Sequence, residues 1–582
     1  MLLQRLREYS ARLPDLGPPL YKLTPVRYQI ELDREGRFLG LVPLTGDPGR
    51  RGDRGMPLMA PTRVRSSAIK PILFADNGEY TLGRARDPEK QARVDACHAA
   101  YRELVRRCAE ATGEPDALAV DWFYEHTNLA SLELPADFDP SGTITFSVEG
   151  RRPIDLPAVQ AFWAAEAGVP EEADPAALAQ CLICGQARPP VERLQFKIKG
   201  IPGGQTSGTS LISANADAFE SYGLSASLVS PVCQECSERF SKALNALLAG
   251  PATHLRLPPL AYAFWTREPV DFDWAAFFTQ PDPGAVGELL RAAQTGRFSA
   301  LGLDTTPFYA VALSASGGRA VVRDWLDTTA AGAAARLARY FRLQRLVDRD
   351  GSEPRFFSLR ALAGATQRER DTGEPAPIVP QALARLALAG GPLPTQLLAL
   401  VLGRLRAGDP VTPARAALVK MVLLSQQPDF EEDEMVTLDP DQTHPAYLCG
   451  RLFAILDRIQ QIAIGPNATI VDRFFGTASS APATVFGRLV RGAQPHLGKL
   501  RKTRPGAHVA LERRLEEVMQ DLPGFPATLT LKEQGLFVLG YYHERAASAA
   551  AARARRAAGD SPGDARAALP DEAPGAETDE TD

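Results

Sequence analysis

Two pairs of cysteines constrain this chain more than any other feature. Cys181 and Cys184 form one C-x-x-C pair, and Cys233 and Cys236 form a second. A two-residue spacer lets both thiolates of a pair turn towards one ion, and four thiolates make the closed tetrahedral shell of a structural zinc site. The 48 residues between the pairs exceed the spacing of a simple zinc ribbon. We therefore expect a structural Zn²⁺ that closes the base of a long excursion, with unmetallated core cysteines or a redox pair as alternatives.

The excursion contains a glycine-rich loop, G-G-Q-T-S-G-T-S, over residues 203–210. Its glycine spacing resembles a Walker A loop, but Thr209 stands where the phosphate-binding lysine belongs, so nucleotide hydrolysis is not expected. Glycines also let a backbone approach a ligand closely, and their N–H groups can meet phosphate. The loop predicts either a contact with nucleic acid or a surface turn without a ligand. Candidate contact residues are Lys197, Lys199, Gly203, Gly204, Gln205 and Ser207.

Three separate stretches carry a family resemblance. They read RLQFKIKGIPGGQTSGTSLISANADAFESYG at 193–223, FADNGEYTLG at 74–83 and LTLKEQGLFVLGYYHER at 529–545. Together they resemble the large subunit of the type I-C CRISPR surveillance complex, Cascade, and the similarity runs in order to about residue 546. The resemblance implies a non-catalytic, RNA-guided role. The subunit would recognise the PAM beside the target in double-stranded DNA, promote R-loop formation and hold the displaced strand.

The resemblance also implies partners. These are a guide RNA complex with backbone and RNA-processing subunits, a helicase-nuclease that is recruited to it, and small subunits made from an internal start in the same gene. Met421 and Met435 precede the last helices and are candidates for such a start.

Charge is unevenly distributed along the chain. Residues 559–582 contain eight acidic residues and one arginine, so the remainder carries +2 although the whole chain carries −5. A nearly neutral body with local basic patches suits one subunit of a ribonucleoprotein. Neither a secretory signal nor an apolar run of membrane-spanning length occurs, which predicts a cytoplasmic protein without a membrane partner.

Two further groups of residues are candidates for DNA contact. The first begins within an arginine-rich and glycine-rich stretch, residues 49–68, which is predicted to be a loop, and extends to residue 77; the second lies in a basic segment of the C-terminal helices. In each case a solvated surface without a ligand is the alternative. The groups are Arg63, Arg65, Lys70 and Asn77, and Lys499, Arg501, Lys502 and Arg504.

The order of elements predicts an α+β fold. A mixed α/β N-terminal region carries the inserted zinc knuckle pair and glycine-rich loop, and a C-terminal helical bundle follows. The predicted elements include a hairpin over 28–42, a helix over 88–111, a strand pair over 140–157 and a helix over 158–168; Cys97, Cys108 and Cys449 are predicted core residues. The predicted divisions are 1–180, 181–250, 251–377, the bundle 378–546 and an Ala-rich, then acidic tail 547–582, disordered past Gly559.

No catalytic set stands out from the sequence. A metal-dependent nuclease needs clustered carboxylates, and the acidic segments 429–435 and 439–444 read more naturally as solvated loops. The alternative function is a nucleic-acid-processing enzyme, a nuclease, whose active-site residues are dispersed along the chain.

Overall fold

The computed structural model of the chain describes residues 1–557 apart from 14–15, 47–54, 64, 66–67, 136, 169–177, 215, 304, 369–370, 372, 428–433 and 466–469. The chain divides into two compact units. The first comprises residues 1–249 and 314–321, and the second comprises 250–313 and 322 onward. Most of the acidic segment 429–435 and the predicted acidic tail lie outside the described residues.

The main sheet of the first unit has four strands. The predicted hairpin is confirmed as β2 (Tyr28–Leu32) and β3 (Phe38–Pro43), paired antiparallel after a tight turn. In the part of the chain described, residues 140–157 hold a single strand, β6 (Thr143–Val148), rather than the predicted pair. It pairs parallel with β2, and a tight turn beyond it leads to a 3₁₀ turn. The prediction of a second strand in this range was therefore wrong.

A second correction concerns the predicted loop over residues 49–68. Within it Met56–Pro61 forms β4, which pairs antiparallel with β1 (Tyr21–Val26). Pro25 lies opposite Pro57 in this ladder. A two-stranded ribbon consists of edge strands, where proline is tolerated because the lost N–H is not needed by a second neighbour. The prolines therefore mark an edge ladder and not an irregular segment.

The predicted helix over residues 88–111 is confirmed. A 3₁₀ turn leads into α3 (Gln91–Thr112), which ends at Gly113 in the left-handed conformation, φ 62°. Its apolar stripe is buried at helical spacing and includes Cys97 and Cys108, as predicted. The helix packs on the sheet, so both cysteines are core residues of the first unit.

The first unit also contains short ladders and further helices. Its remaining elements are α1 (Leu2–Ser10), β5 (Ala75–Asn77), α2 (Gly78–Thr81), α4 (Pro115–His126), α5 (Pro157–Ala167), β7 (Ala179–Gln180), β8 (Ala187–Arg188) and α6 (Gln234–Ala249). The main sheet has the order β3-β2-β6-β5.

The second unit combines a sheet of order β12-β11-β10-β9 with a bundle of helices. One apolar cluster runs from the sheet into the bundle and contains Cys449, which is buried as predicted. Its elements are β9 (His254–Leu257), β10 (Leu260–Thr266), α7 (Trp274–Thr279), α8 (Pro283–Thr295), β11 (Pro307–Ser316), β12 (Arg319–Thr329), α9 (Ala330–Gln344), α10 (Leu359–Gly364), α11 (Ile378–Ala389), α12 (Thr395–Arg406), α13 (Pro413–Ser425), α14 (Pro445–Ile464), α15 (Ile470–Ala478), α16 (Phe486–Thr503), α17 (Pro505–Gln520) and α18 (Leu531–Ala557).

Helices α14 and α18 touch backbone to backbone in the centre of the bundle. A Cβ atom added to Gly450 would lie 2.0 Å from the carbonyl oxygen of Phe537, and one added to Gly540 would lie 2.2 Å from that of Tyr447. The two glycines therefore set how closely the helices approach. The mixed fold with a C-terminal bundle is confirmed, and no helix within the described ranges is long and apolar enough to cross a membrane.

Candidate metal centre and nucleic-acid surfaces

The four cysteines of the two pairs come together in the first unit. The sulfur atoms of Cys181, Cys184, Cys233 and Cys236 all lie within 4.8 Å of one another, and those of Cys184 and Cys233 are 4.0 Å apart. A tetrahedral site with Zn–S bonds of about 2.3 Å places its sulfurs about 3.8 Å apart. The cluster therefore has nearly the dimensions of a four-thiolate metal site, and the predicted grouping of the four cysteines is confirmed.

Local backbone geometry turns each pair towards the centre of the cluster. After Cys184, Gly185 adopts φ 75° and its N–H donates to the carbonyl oxygen of Cys181 at 2.9 Å, which closes the first knuckle. Cys233 stands at the start of α6, where the N–H of Ser237 donates to its carbonyl oxygen at 3.0 Å. The second knuckle is thus the first turn of a helix. A helix N-terminus favours the negative charge that thiolates carry.

The chemistry of the cluster suits a metal cation. Three of its cysteines are buried and Cys184 is half-buried. The hydrogen bond from the Cys236 thiol lowers the pKa of Cys233 to about 5, and the same shared proton raises the pKa of Cys236. Since a divalent ion replaces such protons at a thiolate site, the four residues fit a structural metal.

Helix α6 joins the second knuckle to the N-terminal segment of the chain. The buried carboxylate of Glu238 accepts the backbone N–H of Leu20 at 3.1 Å and pairs with the ammonium of Lys242 at 2.6 Å. Lys242 also donates to the carbonyl oxygen of Leu16 at 2.6 Å and lies over the ring of Phe196. The helix that begins at the second knuckle is therefore bonded directly to the N-terminal segment of the chain.

The glycine-rich loop is a closed loop anchored at its base and side. Ile198 and Thr209 exchange two backbone hydrogen bonds of 2.7 and 2.8 Å, and the loop spans the residues between them. The side chain of Asn245 on α6 donates to the carbonyl oxygen of Lys197 and accepts the N–H of Lys199, each at 2.9 Å. The loop is thus held by the same helix that begins at the second knuckle.

The glycines of the loop serve different purposes. Gly203 has φ 74° and open space where a side chain would stand. A Cβ on Gly204 would meet Thr209 Cγ2 at 2.9 Å, so the loop itself requires this glycine. Gln205 and Ser207 are exposed at the tip. Close approach of a ligand backbone is therefore possible at Gly203, whereas a substitution at Gly204 would first distort the loop.

Positive charge surrounds the base of the loop. The side chains of Lys197 and Lys199 are exposed. Partial desolvation, and then the charge of Lys199, lower the pKa of Lys22 on β1, which places a third amine in the neighbourhood of Lys199. Lys22 could not be predicted from the sequence, because it lies 177 residues before Lys199 and comes near it only in the folded chain.

Two of the early candidates, Arg63 and Arg65, are tied into the first unit. Arg65 pairs with the buried carboxylate of Asp76, donates to the carbonyl oxygen of Lys70 at 2.8 Å and lies 4.1 Å from the ring centre of Tyr80. Burial raises the pKa of Asp76, and Arg65 opposes that rise. Arg63 donates to the carbonyl oxygen of Glu166 at 3.0 Å. These guanidinium groups have clear structural roles, with any DNA contact left to their free edges.

Asn77 and Lys70, the other early candidates, differ from each other. Asn77 is the N-cap of α2, where its side-chain oxygen accepts the N–H of Tyr80 at 3.2 Å. Its amide NH₂ remains available for a ligand. The side chain of Lys70 is exposed. Of the four early candidates, Lys70 presents the most accessible charge.

The basic segment of the second unit lies on α16 and just after it. Leu489, Ala493, Leu497 and Leu500 form the buried stripe of this helix. Arg488, Arg491, Lys499 and Lys502 recur at spacings of three, eight and three residues, which places them on the opposite side. All four are exposed. We call these four residues the α16 basic face.

Arg488 and Arg491 of the α16 basic face were missed by the sequence reasoning. The signal for them was present, because residues 473–511 contain seven lysines and arginines and no acidic residue. Of the predicted residues, Arg501 is exposed and Arg504 is half-buried, and neither belongs to the α16 basic face. By contrast, Arg513 and Arg514 on α17 pair with Glu517. The charge of α16 is therefore not neutralised by acids of its own segment.

Glycines interrupt the exposed side of α16. Gly487, Gly492 and Gly498 would each place a Cβ in open space, and Pro495 is exposed in the middle of the helix. Interior glycine costs a helix roughly 0.5–1 kcal/mol relative to alanine. Packing within the chain does not require these glycines.

Comparison with known families gives one assignment. A family model described as "CRISPR-associated protein (Cas_Csd1)" matches residues 3–549, nearly the whole chain. No curated protein sequence matches it.

Proposed function

The chain belongs to the Cas_Csd1 family of CRISPR-associated proteins, and from that premise we propose that it is the large subunit of a type I-C Cascade surveillance complex. In this role it recognises the PAM in double-stranded DNA, promotes R-loop formation, holds the displaced strand and helps recruit the helicase-nuclease. The guide RNA reads the target sequence, as in other RNA-guided effectors. The subunit itself is non-catalytic.

The α16 basic face carries the proposal. At 1.5 Å per residue its four side chains extend over about 21 Å of helix, enough to follow several phosphates of one strand. No acidic residue occurs within residues 473–511, so α16 itself brings no negative charge towards the phosphates. Arg501, in the last turn of α16, and Arg504, directly after the helix, add charge beside this face, towards α17. We assign the displaced strand to this surface.

The glycine-rich loop and the early segment are assigned to the duplex beside the PAM. Lys197, Lys199 and Lys70 neutralise phosphates, and Gln205 and the amide of Asn77 reach base edges. Ser207 adds a hydroxyl at the loop tip. Arg63 and Arg65 contribute the free edges of guanidinium groups whose other edges hold the fold.

The metal of the cysteine cluster is assigned as Zn²⁺ with a structural role. Four thiolates fill its coordination sphere and leave no open position for a substrate. The ion would fix the two ends of the excursion and therefore the loop that α6 and the first knuckle support. It supplies no chemistry to a reaction.

Charge removal on α16 tests the proposal. The complex would be assembled with guide RNA and partner subunits and titrated with matched target DNA at two salt concentrations. Replacing Arg488, Arg491, Lys499 and Lys502 with glutamine should reduce the salt slope by about 3, since each phosphate contact on a single strand contributes about 0.7. Arg513→Gln on the neighbouring helix removes an exposed charge that already pairs with Glu517 and should change little. If the salt slope of the fourfold variant is unchanged, the displaced strand does not bind the α16 basic face.

The competing function is a nuclease with dispersed active-site residues. Incubating the purified chain and the assembled complex with target DNA and a divalent metal separates the two functions. Cleavage by the chain itself, lost on removal of the metal, would overturn the non-catalytic assignment.

We also propose a separate small subunit from an internal start. A product that begins at Met435 would contain α14 to α18 and hence a further copy of the α16 basic face. Met421 lies within α13, so a start there would keep only the end of that helix. Intact-mass measurement of the assembled complex should detect the short chain. A complex containing only the full-length chain would contradict this assignment.

A further inference from the structure

An exposed aromatic turn lies beyond the glycine-rich loop in the first unit. Tyr222 is 97% exposed, the highest value among the large hydrophobic side chains of the residues described. Phe219 and Leu224, within the same six residues, are 45% and 42% exposed. An isolated exposed apolar side chain is ordinary, but three in one turn on a fixed support indicate a contact surface.

A backbone hydrogen bond closes the turn. The N–H of Leu224 donates to the carbonyl oxygen of Ser221 at 2.9 Å, and Tyr222 and Gly223 follow each other with φ 56° and φ 71°. Two successive positive φ angles are typical of a type I′ turn, in which asparagine or glycine is favoured at the position that Tyr222 occupies. A tyrosine is therefore held in an unfavourable backbone conformation with its ring in solvent, and strain of this kind clusters at ligand-contacting positions.

Phe219 connects the turn with the glycine-rich loop. The guanidinium of Arg319 lies 3.4 Å from the ring centre of Phe219. Ser210, at the end of the loop, exchanges backbone hydrogen bonds of 2.9 Å with Gly318 and Ala320 on either side of Arg319. The aromatic turn and the loop therefore rest on the same short hairpin tip, residues 314–321 of the first unit.

The charge of the turn favours an uncharged ligand group, such as a nucleobase, over a phosphate. Asp217 and Glu220 are exposed there, and residues 216–226 contain no lysine or arginine. The turn would therefore repel a phosphate, while its ring faces are neutral. The cation beside the turn is Arg319, at the ring of Phe219, whereas Lys197 and Lys199 stand at the base of the loop that rests on the same hairpin tip. Aromatic rings beside such cations are the platform on which unpaired bases stack, regardless of base identity.

We propose that Tyr222, supported by Phe219 and Arg319, stacks on an unpaired nucleobase of the DNA bound at the glycine-rich loop. This inference rests on the proposed function, since it requires DNA at that loop. It adds a base-stacking residue to a surface whose other side chains are polar. The ring is the active part, and the hydroxyl is dispensable.

The test uses the assembled complex with matched target DNA. The fluorescent base 2-aminopurine would replace one nucleotide at a time beside the PAM on each strand. One unpaired position should show quenched emission in the wild type and recover in Tyr222→Ala, which should also bind about tenfold more weakly. Tyr222→Phe should retain both the quenching and the affinity. Leu118→Ala, which removes a similarly exposed apolar side chain from α4 of the same unit, should behave as the wild type.

The outcomes separate this inference from the function on which it rests. If the fourfold α16 variant loses salt slope as expected but Tyr222→Ala keeps wild-type affinity and quenching at every position, the stacking role alone is overturned. If Tyr222→Ala instead releases a partner subunit and leaves the emission unchanged, the turn is a protein contact and the inference is wrong. If the wild-type complex does not bind the target, both proposals fall.

Discussion

The two regions assigned to DNA are built in opposite ways. The glycine-rich loop and the early basic segment consist of irregular backbone, and few but specific bonds fix them: the cysteine cluster, the Asn245 clamp and the pairing of Arg65 with Asp76. The α16 basic face lies on a regular helix whose opposite side is packed into a large apolar core.

This difference shows how each region obtains order without losing accessible charge. Loops bury less apolar surface than packed helices, so more of their order comes from metal ligands and polar partners. Some of their cations, such as Arg65, serve as these partners and are less available to DNA. A helix gains its order from burial on one side, so every cation on the other side stays available. The first region should therefore lose its structure when a single bond is removed. The second should lose stability when its apolar packing is changed.

The largest expected effect is the loss of the metal from the cysteine cluster. Structural zinc contributes about 10–16 kcal/mol of apparent binding energy in small zinc peptides at neutral pH. Cys181→Ser or a strong chelator should therefore release about one zinc per chain and open residues 185–232 to limited proteolysis, while fragments of the bundle stay intact. Metal analysis and mass spectrometry of the fragments measure both.

The control for this prediction is Cys449→Ala, which changes a buried cysteine of the bundle. It should keep the metal and the protease resistance of the excursion. Native protein purified without chelator that contains no metal, or a Cys181→Ser variant with unchanged proteolysis, would contradict the structural role.

The next largest effect is expected for Arg65→Ala, which removes one ionic partner. Asp76 is 2% exposed, so its carboxylate would remain buried with only the backbone N–H groups of Ile72 and Asn77 to stabilise its charge, at a cost of about 3 kcal/mol in the free energy of unfolding. Since burial raises the pKa of Asp76 and Arg65 opposes the rise, the variant raises it further. The folded state then holds its proton more tightly than the unfolded state. The penalty should be full at neutral pH and shrink as pH falls towards the ordinary carboxyl pKa of 3.8.

Chemical unfolding at pH 7 and pH 5 measures this dependence. Adding Asp76→Asn to Arg65→Ala removes the charge and should restore much of the lost stability at pH 7. A penalty that is independent of pH and is not relieved by Asp76→Asn would mean that Arg65 acts through packing on Tyr80.

A smaller effect is expected for Gly450→Ala, which tests packing in the second region. The added methyl would meet the carbonyl oxygen of Phe537, a backbone atom that cannot swing away, so α14 and α18 must separate. Overpacking of this kind typically costs about 1–3 kcal/mol. Thermal unfolding should show the loss without release of metal. Gly403→Ala, in α12 with open space around the new methyl, is the matched control and should not destabilise.

Features that depend on residues close together in the sequence could be predicted, and features that depend on residues far apart in the sequence could not. The cysteine pairs and the apolar stripe of α3 are local patterns, so they predicted the ligand cluster and the core positions of Cys97 and Cys108. The partner of Arg65 could not be predicted, because only the folded backbone brings Asp76 to it. The same holds for Gly450, whose contact lies 87 residues further along the chain at Phe537. The strand β4 was missed because its prolines resemble loop residues until the edge position is known.

The smallest effect belongs to the glycines on the exposed side of α16. Gly492→Ala should stabilise the helix by roughly 0.5–1 kcal/mol, because the methyl meets no atom and the unfolded chain loses freedom. If the glycines exist to let a DNA strand approach the helix, the same variant should bind the displaced strand more weakly although it folds better. Gly403→Ala should share the stabilisation without the loss of binding. Thermal unfolding and single-strand affinity of the assembled complex measure the two effects. A Gly492→Ala variant that gains stability and keeps its affinity would show that the strand contacts α16 only through its long cationic side chains, at a distance from the backbone.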